Sequence, residues 1–562
     1  MNWAAFASKI GQCDASRPGR YFSFAALLVA GILLIYPLID KYNEYCFEAD
    51  AQATIEHVVS FRLWSKTLRK KSLFAPRGYP PYLDGQFIIY AAATRITDAL
   101  KMTGLVDSSV LPTEPSLAMY TIRRANACFR LLAAFGLFWL AIRITHSALF
   151  SFLAGVVMLL TTQFLDIDLL RVDHPVIAAL TWLLCLSLAC IRPHPERRAL
   201  LIGMSLLSAA LVTMKASCAV FLLLPATAIL ILLLKRRLHV RRLLVPGIVF
   251  VAAVAAFCFR YILFHKAVPN AFRIMTNDLK SWQNVLGASP RFYYNWDLFL
   301  PDGLWFLGIV AVSWLVLAVN AVRKHRADEI SVLAWTLFFS LTGFGLLKYS
   351  RGGYHLALLY LVALVMAAGA LRRWLNPHPS TGLLGVGFAC CLLPTLYTQS
   401  VHYADLRHRA VMLADATRIV RTQPREWMQT HAKPGARVTI PIHSEWALPP
   451  IFDIGLNTGT RFLTIPYTDP PALEKYEPPD IDTIANETDF IVLNDFHPDK
   501  YPLVMRKLGM NDLAFRWEHF WEDLPTHFRV IDFSSPTDSY GIRLIRIVIV
   551  NPGGLKDPAA LE

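Results

Sequence analysis

Apolar runs long enough to cross a bilayer recur along most of this 562-residue chain, and they constrain its fold more than any motif. They fall at about 21 to 38, 125 to 143, 147 to 166, 176 to 191, 199 to 214, 217 to 234, 243 to 263, 302 to 322, 330 to 347, 355 to 371 and 381 to 398, about eleven in all. Hydrophobic residues make up 55% of the chain and charged residues 17%, so a soluble fold is set aside. The chain reads as a polytopic α-helical membrane protein. Its first run, Tyr21 to Leu38, is long enough to span and no small-residue cleavage site follows it, which makes it a retained helix rather than a signal peptide.

A net charge of +14 would point to nucleic acid in a soluble protein. Here the cations sit in short clusters between apolar runs, as cytoplasmic loops require, and no nucleic-acid partner is implied. The clusters are Lys9, Arg17 and Arg20; Arg192, Arg197 and Arg198; Lys235 to Arg242; Arg323 to Arg326; and Arg372 with Arg373. One serpentine places all of them on the same side. It runs the first span outward, keeps 39 to 122 outside, and leaves residues 1–20 in the cytoplasm.

That arrangement treats the apolar segment Phe87 to Ala99 as a helix lying at the interface. Were it to cross, Asp173 would move inside and the Arg192 cluster outside, against the positive-inside rule. With it at the interface, Asp50, Asp173, Lys215, the 264 to 301 loop and the Lys348 to His355 loop share the outer face of a plasma, or inner, membrane.

After Gln399 the apolar runs shorten, and alternating segments appear at Ala436 to Ile442, Asp489 to Leu493, Phe528 to Phe533 and Gly541 to Val550. Helix-like stretches, Arg409 to His431 and Tyr501 to Leu508, lie between them. The expectation for 399–562 is an extracytoplasmic α/β domain with a small mixed sheet, following a transmembrane domain over 21–398. Of nine cysteines none lies in 399–562 and none forms a CxxC pair, so neither a disulfide framework nor a zinc site is expected.

The first outer loop concentrates the chemistry. Glu44, Glu48 and Asp50 follow the first span, and carboxylates at a membrane edge are costly unless they work. Asp50 opens a stretch in which Ile55, Val58, Val59 and Leu63 fall on one helical face, the pattern of an interfacial amphipathic helix. Asp50 therefore also suits an N-cap. Two prolines in Arg77-Gly78-Tyr79-Pro80-Pro81-Tyr82 then turn the chain.

An acid soon after span 1, a Pro-Pro-Tyr turn ahead of an apolar interfacial helix, Arg123 and Arg124 leading into span 2, and Arg171-x-Asp173 after span 3 together resemble the glycosyltransferase C superfamily. The branch it resembles most is that of the protein O-mannosyltransferases and lipid A aminoarabinose transferases. The resemblance implies a transferase that moves a sugar, hexosyl or pentosyl, from a polyprenyl-phosphate-linked donor to a lipid, glycan or protein acceptor on the outer face.

Within that resemblance Asp50 is the base and Asp173 the second catalytic acid. Glu48, Lys215, Lys348, Arg351 and Tyr354 are the substrate-binding candidates, with Gly352-Gly353 allowing close backbone approach. The branch often shows Asp-Glu where this chain has Asp50-Ala51, with Glu48 two residues earlier. No ligand spacing demands a metal, although Asp50 and Asp173 offer oxygens to a divalent cation. The competing reading is a polytopic transporter or lipid flippase, in which charges mark a permeation path. Against it, the candidate charges gather at one face rather than at mid-span.

Overall fold

The structure is a computed structural model, and it describes residues 17–40, 84–106, 114–160, 173–191, 197–263, 423–439, 480–494, 509–539 and 542–558. Shorter pieces lie within 54–62, 332–340, 392–404, 457–458, 477–478 and 502–506. The expected spans at 302 to 322 and 355 to 371 lie outside the described residues.

The N-terminal part is a helical bundle. Its helices are α1 (Arg17–Asp40), α2 (Gly85–Met102), α3 (Glu114–Thr145), α4 (Ala148–Leu160), α5 (Asp173–Ile191), α6 (Arg197–Met214), α7 (Leu223–Leu234), α8 (Leu244–Phe257) and the short α9 (Phe259–Leu263). A 3-10 segment, Ala216–Leu222, joins α6 to α7. Among the described residues five helices are apolar and long enough to cross a membrane, namely α1, α3, α5, α6 and a stretch running into α8. The helix α2 is not one of them.

Close approach follows from small residues, which let helix backbones meet where lipid offers no hydrophobic drive. A Cβ on Gly136 of α3 would lie 2.9 Å from Thr181 Cγ2 of α5, and Gly155 of α4 is equally tight against Leu27 of α1. Trp182 Nε1 uses that approach to donate to the Leu132 carbonyl at 2.9 Å. The chain reverses between α3 and α4 at His146, whose φ of 56° lies in the left-handed region. Ser147 then caps α4 by accepting from the Phe150 N–H at 3.1 Å.

The helix α3 begins at Glu114, well before the expected 125. At 32 residues it is about 48 Å long, which exceeds a hydrocarbon core of about 30 Å. Its extra N-terminal turns are covered by α2: Tyr90 Oη donates to Asn126 Oδ1 at 2.5 Å, and Thr121 Oγ1 to Thr97 Oγ1 at 2.9 Å. Buried polar groups that find partners on a neighbouring helix extend the helix beyond its apolar stretch. Arg123 is accordingly inside α3 and buried, not a residue leading into it.

The C-terminal part holds α10 (Gln423–His431), β1 (Arg437–Thr439), β2 (Asn457–Thr458), α11 (Ile481–Glu487), β3 (Phe490–Asn494), α12 (Asn511–His527), β4 (Arg529–Ser539) and β5 (Ile542–Ile549). These strands form one mixed sheet in the order β2-β1-β3-β5-β4, parallel through β2, β1 and β3 and antiparallel through β3, β5 and β4. Strand alternation sorts β3 between two cores. Phe490 and Val492 face Met428 of α10, while Ile491 and Leu493 face Trp517, Trp521 and Leu524 of α12.

The principal helix of this region is α12, later than the expected Tyr501 to Leu508 stretch, of which residues 502, 505 and 506 are helical. Its buried positions Leu513, Ala514, Trp517, Phe520, Trp521 and Leu524 follow a helical period. Pro525 sits in the last turn, where little helix remains to be disrupted.

Candidate functional site

Three helix ends that are remote in sequence meet at one point of the bundle. Asp84, immediately before α2, receives two hydrogen bonds from Arg260 of α9, one from Nε at 2.9 Å and one from Nη2. Both side chains are buried. At the next position Gly85 packs on the C-terminal end of α6 so closely that a Cβ would fall 2.6 Å from Thr213 Oγ1 and 3.0 Å from the Met214 backbone nitrogen. Lys215 follows directly and is only 1% exposed. Phe61 closes the cluster, with the Arg260 guanidinium 4.8 Å from its ring centre.

Burial pushes the Asp84 carboxyl up from 3.8 to about 6, and the Arg260 charge and hydrogen bonds only partly oppose it. A carboxylate so placed is ionised at neutral pH but protonates within reach of it.

From this corner α2 runs back along the start of α3. One face of α2 carries Gln86, Tyr90, Thr94 and Thr97, all buried, at the spacing of successive turns. Tyr90 and Thr97 bond across to α3 as described above, and the Thr94 hydroxyl donates to the Ala91 carbonyl at 2.6 Å. One turn beyond Thr94, Asp98 accepts from Arg62 at 2.7 and 3.1 Å, which fastens the preceding segment to α2. Gln86 differs from its neighbours: it is fully buried, and among the described residues neither its Nε2 nor its Oε1 has a hydrogen-bond partner.

Of the residues singled out from sequence, the structure places Lys215 at this junction. Asp173 is the first residue of α5, followed by the buried His174. Asp50, Glu48, Glu44, Lys348, Arg351 and Tyr354 lie outside the described residues. Among the described residues no group of three or more His, Cys, Asp or Glu side chains is gathered for a metal.

Sequence reasoning missed Asp84, Gln86 and Arg260. Arg260 carried a signal: it is a charge at the end of an apolar run, and a charge at such depth needs a partner or a function. Asp84 gave a weaker one, as an acid three residues after Pro80-Pro81. Gln86 gave none, because a neutral residue inside a helix has no distinguishing pattern.

No family model matches the sequence, and no curated protein does. The fold does have counterparts among solved structures. ArnT from Cupriavidus metallidurans bound to undecaprenyl phosphate superposes with a TM-score of 0.55 at 12% identity, over 95% of this chain and 98% of that one. The same protein in the apo state gives 0.56 at 12% identity, over 94% and 98%. The chain thus shares the fold of ArnT over nearly its whole length.

Proposed function

We propose that this protein is a membrane glycosyltransferase that moves a sugar from a polyprenyl-phosphate-linked donor to an acceptor hydroxyl on the outer face of the membrane. The observation that carries the proposal is the end-to-end likeness in fold to a protein solved with undecaprenyl phosphate bound. The junction of α2, α6 and α9 adds support, because it gathers charged residues at helix ends and not at mid-span, where a permeation path would need them.

The topology that suits this function keeps α2 at the interface. The extra turns of α3 amount to about 18 Å beyond a bilayer core, and α2 packs on those turns. The ends at Asp84, Lys215 and Arg260 then face the same compartment, together with Asp50, Asp173 and the 399–562 domain. From that side the domain contributes to acceptor choice, and the N-terminus is cytoplasmic.

In the reaction the acceptor oxygen attacks the anomeric carbon while its proton passes to the Asp50 carboxylate. The bond between that carbon and the phosphate oxygen breaks, with its electron pair going to the phosphate. The leaving group departs as an anion and needs no proton donor, unlike a sugar oxygen in glycoside hydrolysis. Lys215, Lys348 and Arg351 balance the phosphate charge, Tyr354 donates to it, Glu48 contributes to substrate binding, and Asp173 acts beside Asp50 as the second catalytic carboxylate. Attack opposite the leaving group inverts the sugar.

In membranes supplied with a polyprenyl-phosphate-linked sugar, Asp50→Asn is expected to abolish transfer while donor binding and expression persist. Full transfer by that variant would refute the assignment of the base. Movement of substrate across sealed vesicles with no new glycosidic bond would establish the transporter instead.

A further inference from the structure

We infer that the Gln86 carboxamide is a specificity-determining group that reads neighbouring hydroxyls on the sugar of the donor, an inference that rests on the donor class proposed above. Gln86 lies two residues from the Asp84–Arg260 pair, beside the contact of Gly85 with Thr213 and Met214 that precedes Lys215. It shares its helix face with Tyr90, one turn on, whose hydroxyl is bonded to Asn126 in α3. The side chain therefore faces the interior of the bundle at the end where the charged groups collect.

Among the described residues neither end of the amide has a hydrogen-bond partner, and both ends are closed to solvent. Exchanging its nitrogen and oxygen changes nothing, since both are unpaired. A buried amide without partners costs more than an apolar side chain of the same shape, so packing alone gives no reason for glutamine here. A ligand that completes the amide does.

What completes it is restricted by chemistry. The Oε1 needs a donor and the Nε2 needs an acceptor. An ionised phosphate offers acceptors only, and a lysine ammonium offers donors only. Sugar hydroxyls are both, and two of them on adjacent ring carbons satisfy both ends of one carboxamide. The cations of the junction suit the phosphate, whereas Gln86 suits the sugar. Because the amide is covered, the helix ends must open around the sugar for it to be reached, as in other sites that close on their substrate.

The test uses the full-length protein in nanodiscs and three probes: undecaprenyl phosphate alone, and the same lipid bearing mannose or 4-amino-4-deoxyarabinose. Wild type is expected to bind one sugar-bearing lipid at least about tenfold more tightly than the bare lipid, and Gln86→Leu to erase that preference while binding bare lipid unchanged. The leucine variant, relieved of the unpaired amide, is also expected to melt no lower than wild type without ligand. Should it fail to fold, Gln86→Asn keeps the amide one methylene short and is expected to lose the same preference. Retained preference in the variant that folds overturns the inference, as does an equal loss of bare-lipid binding, or a wild type indifferent to the sugar. Failure of wild type to bind any of the three lipids would refute the donor class itself and the inference with it.

Discussion

Arg260 meets Asp84 in the helical bundle, and Arg437 meets Asp489 in the C-terminal sheet; in each case two guanidinium nitrogens approach the two carboxylate oxygens. The first pair is sealed, at 2% and 1% exposure, while the second keeps Arg437 at 39% and Asp489 at 11%. Their carboxyls shift in opposite directions. Burial raises Asp84 to about 6 against the opposing pull of Arg260. Burial also acts on Asp489, but the Arg437 side chain, the Arg437 backbone N–H at 2.8 Å and Asn551 outweigh it and hold the carboxyl below its usual value. The same two side-chain types thus yield opposite electrostatics, because desolvation and the number of donors decide the sign, not the presence of an arginine.

The comparison breaks most visibly when one partner is removed. Arg260→Met leaves a sealed Asp84 carboxylate unpaired and is expected to cost about 3–5 kcal/mol, read as a large fall in the melting temperature of the detergent-solubilised protein. Adding Asp84→Asn should recover a substantial part of that loss. If the double variant is no better than the single one, the pair is not where the energy resides.

Asp489→Asn is expected to cost less, about 1–3 kcal/mol, since it removes charge-assisted bonds from a group that water partly reaches. Protease sensitivity of the 399–562 region in the full chain would report it, with the bundle unaffected. An equal effect on both regions would remove the distinction drawn between them.

The smallest effect is a response to pH, and its sign differs between the two sites. The raised Asp84 value contributes stability that is present below 3.8 and is lost as pH rises through about 6. The bundle should therefore gain about 1 kcal/mol from pH 7 to pH 5, a gain abolished by Asp84→Asn. The depressed Asp489 contributes stability that is present above the ordinary aspartate value and lost as pH falls through its lowered one. Over the same interval the C-terminal region should show no response from this group. Melting curves at the two pH values, for wild type and Asp84→Asn, separate these contributions.

Much of the architecture was legible along the chain. Apolar runs located α1, α4, α5, α6, α7 and α8, because a helix that must bury its own backbone bonds in lipid declares itself by length and hydrophobicity. The segment Phe87 to Ala99 lies within α2, which extends two residues before it and three beyond. Lys215 stood out as a cation between two apolar runs, and the structure puts it at the junction. Arg260 did not stand out, since the run from 243 to 263 absorbed it. The α12 helix was overlooked although Leu513, Trp517, Phe520 and Leu524 carry its period, because its many polar and aromatic residues obscured the stripe.

The order and character of the elements were determined by the sequence itself: where the chain must be helical and where alternation gives way to strands. Those features are local, and each follows from a few neighbouring residues seeking to bury apolar surface or satisfy backbone groups. Only the tertiary structure decided that Asp84 meets a guanidinium 176 positions away, that Gly85 presses against the end of α6, and that Gln86 finds no partner among the described residues. Partnership across such separations depends on which helix ends pack together, and no periodicity in a single chain records that.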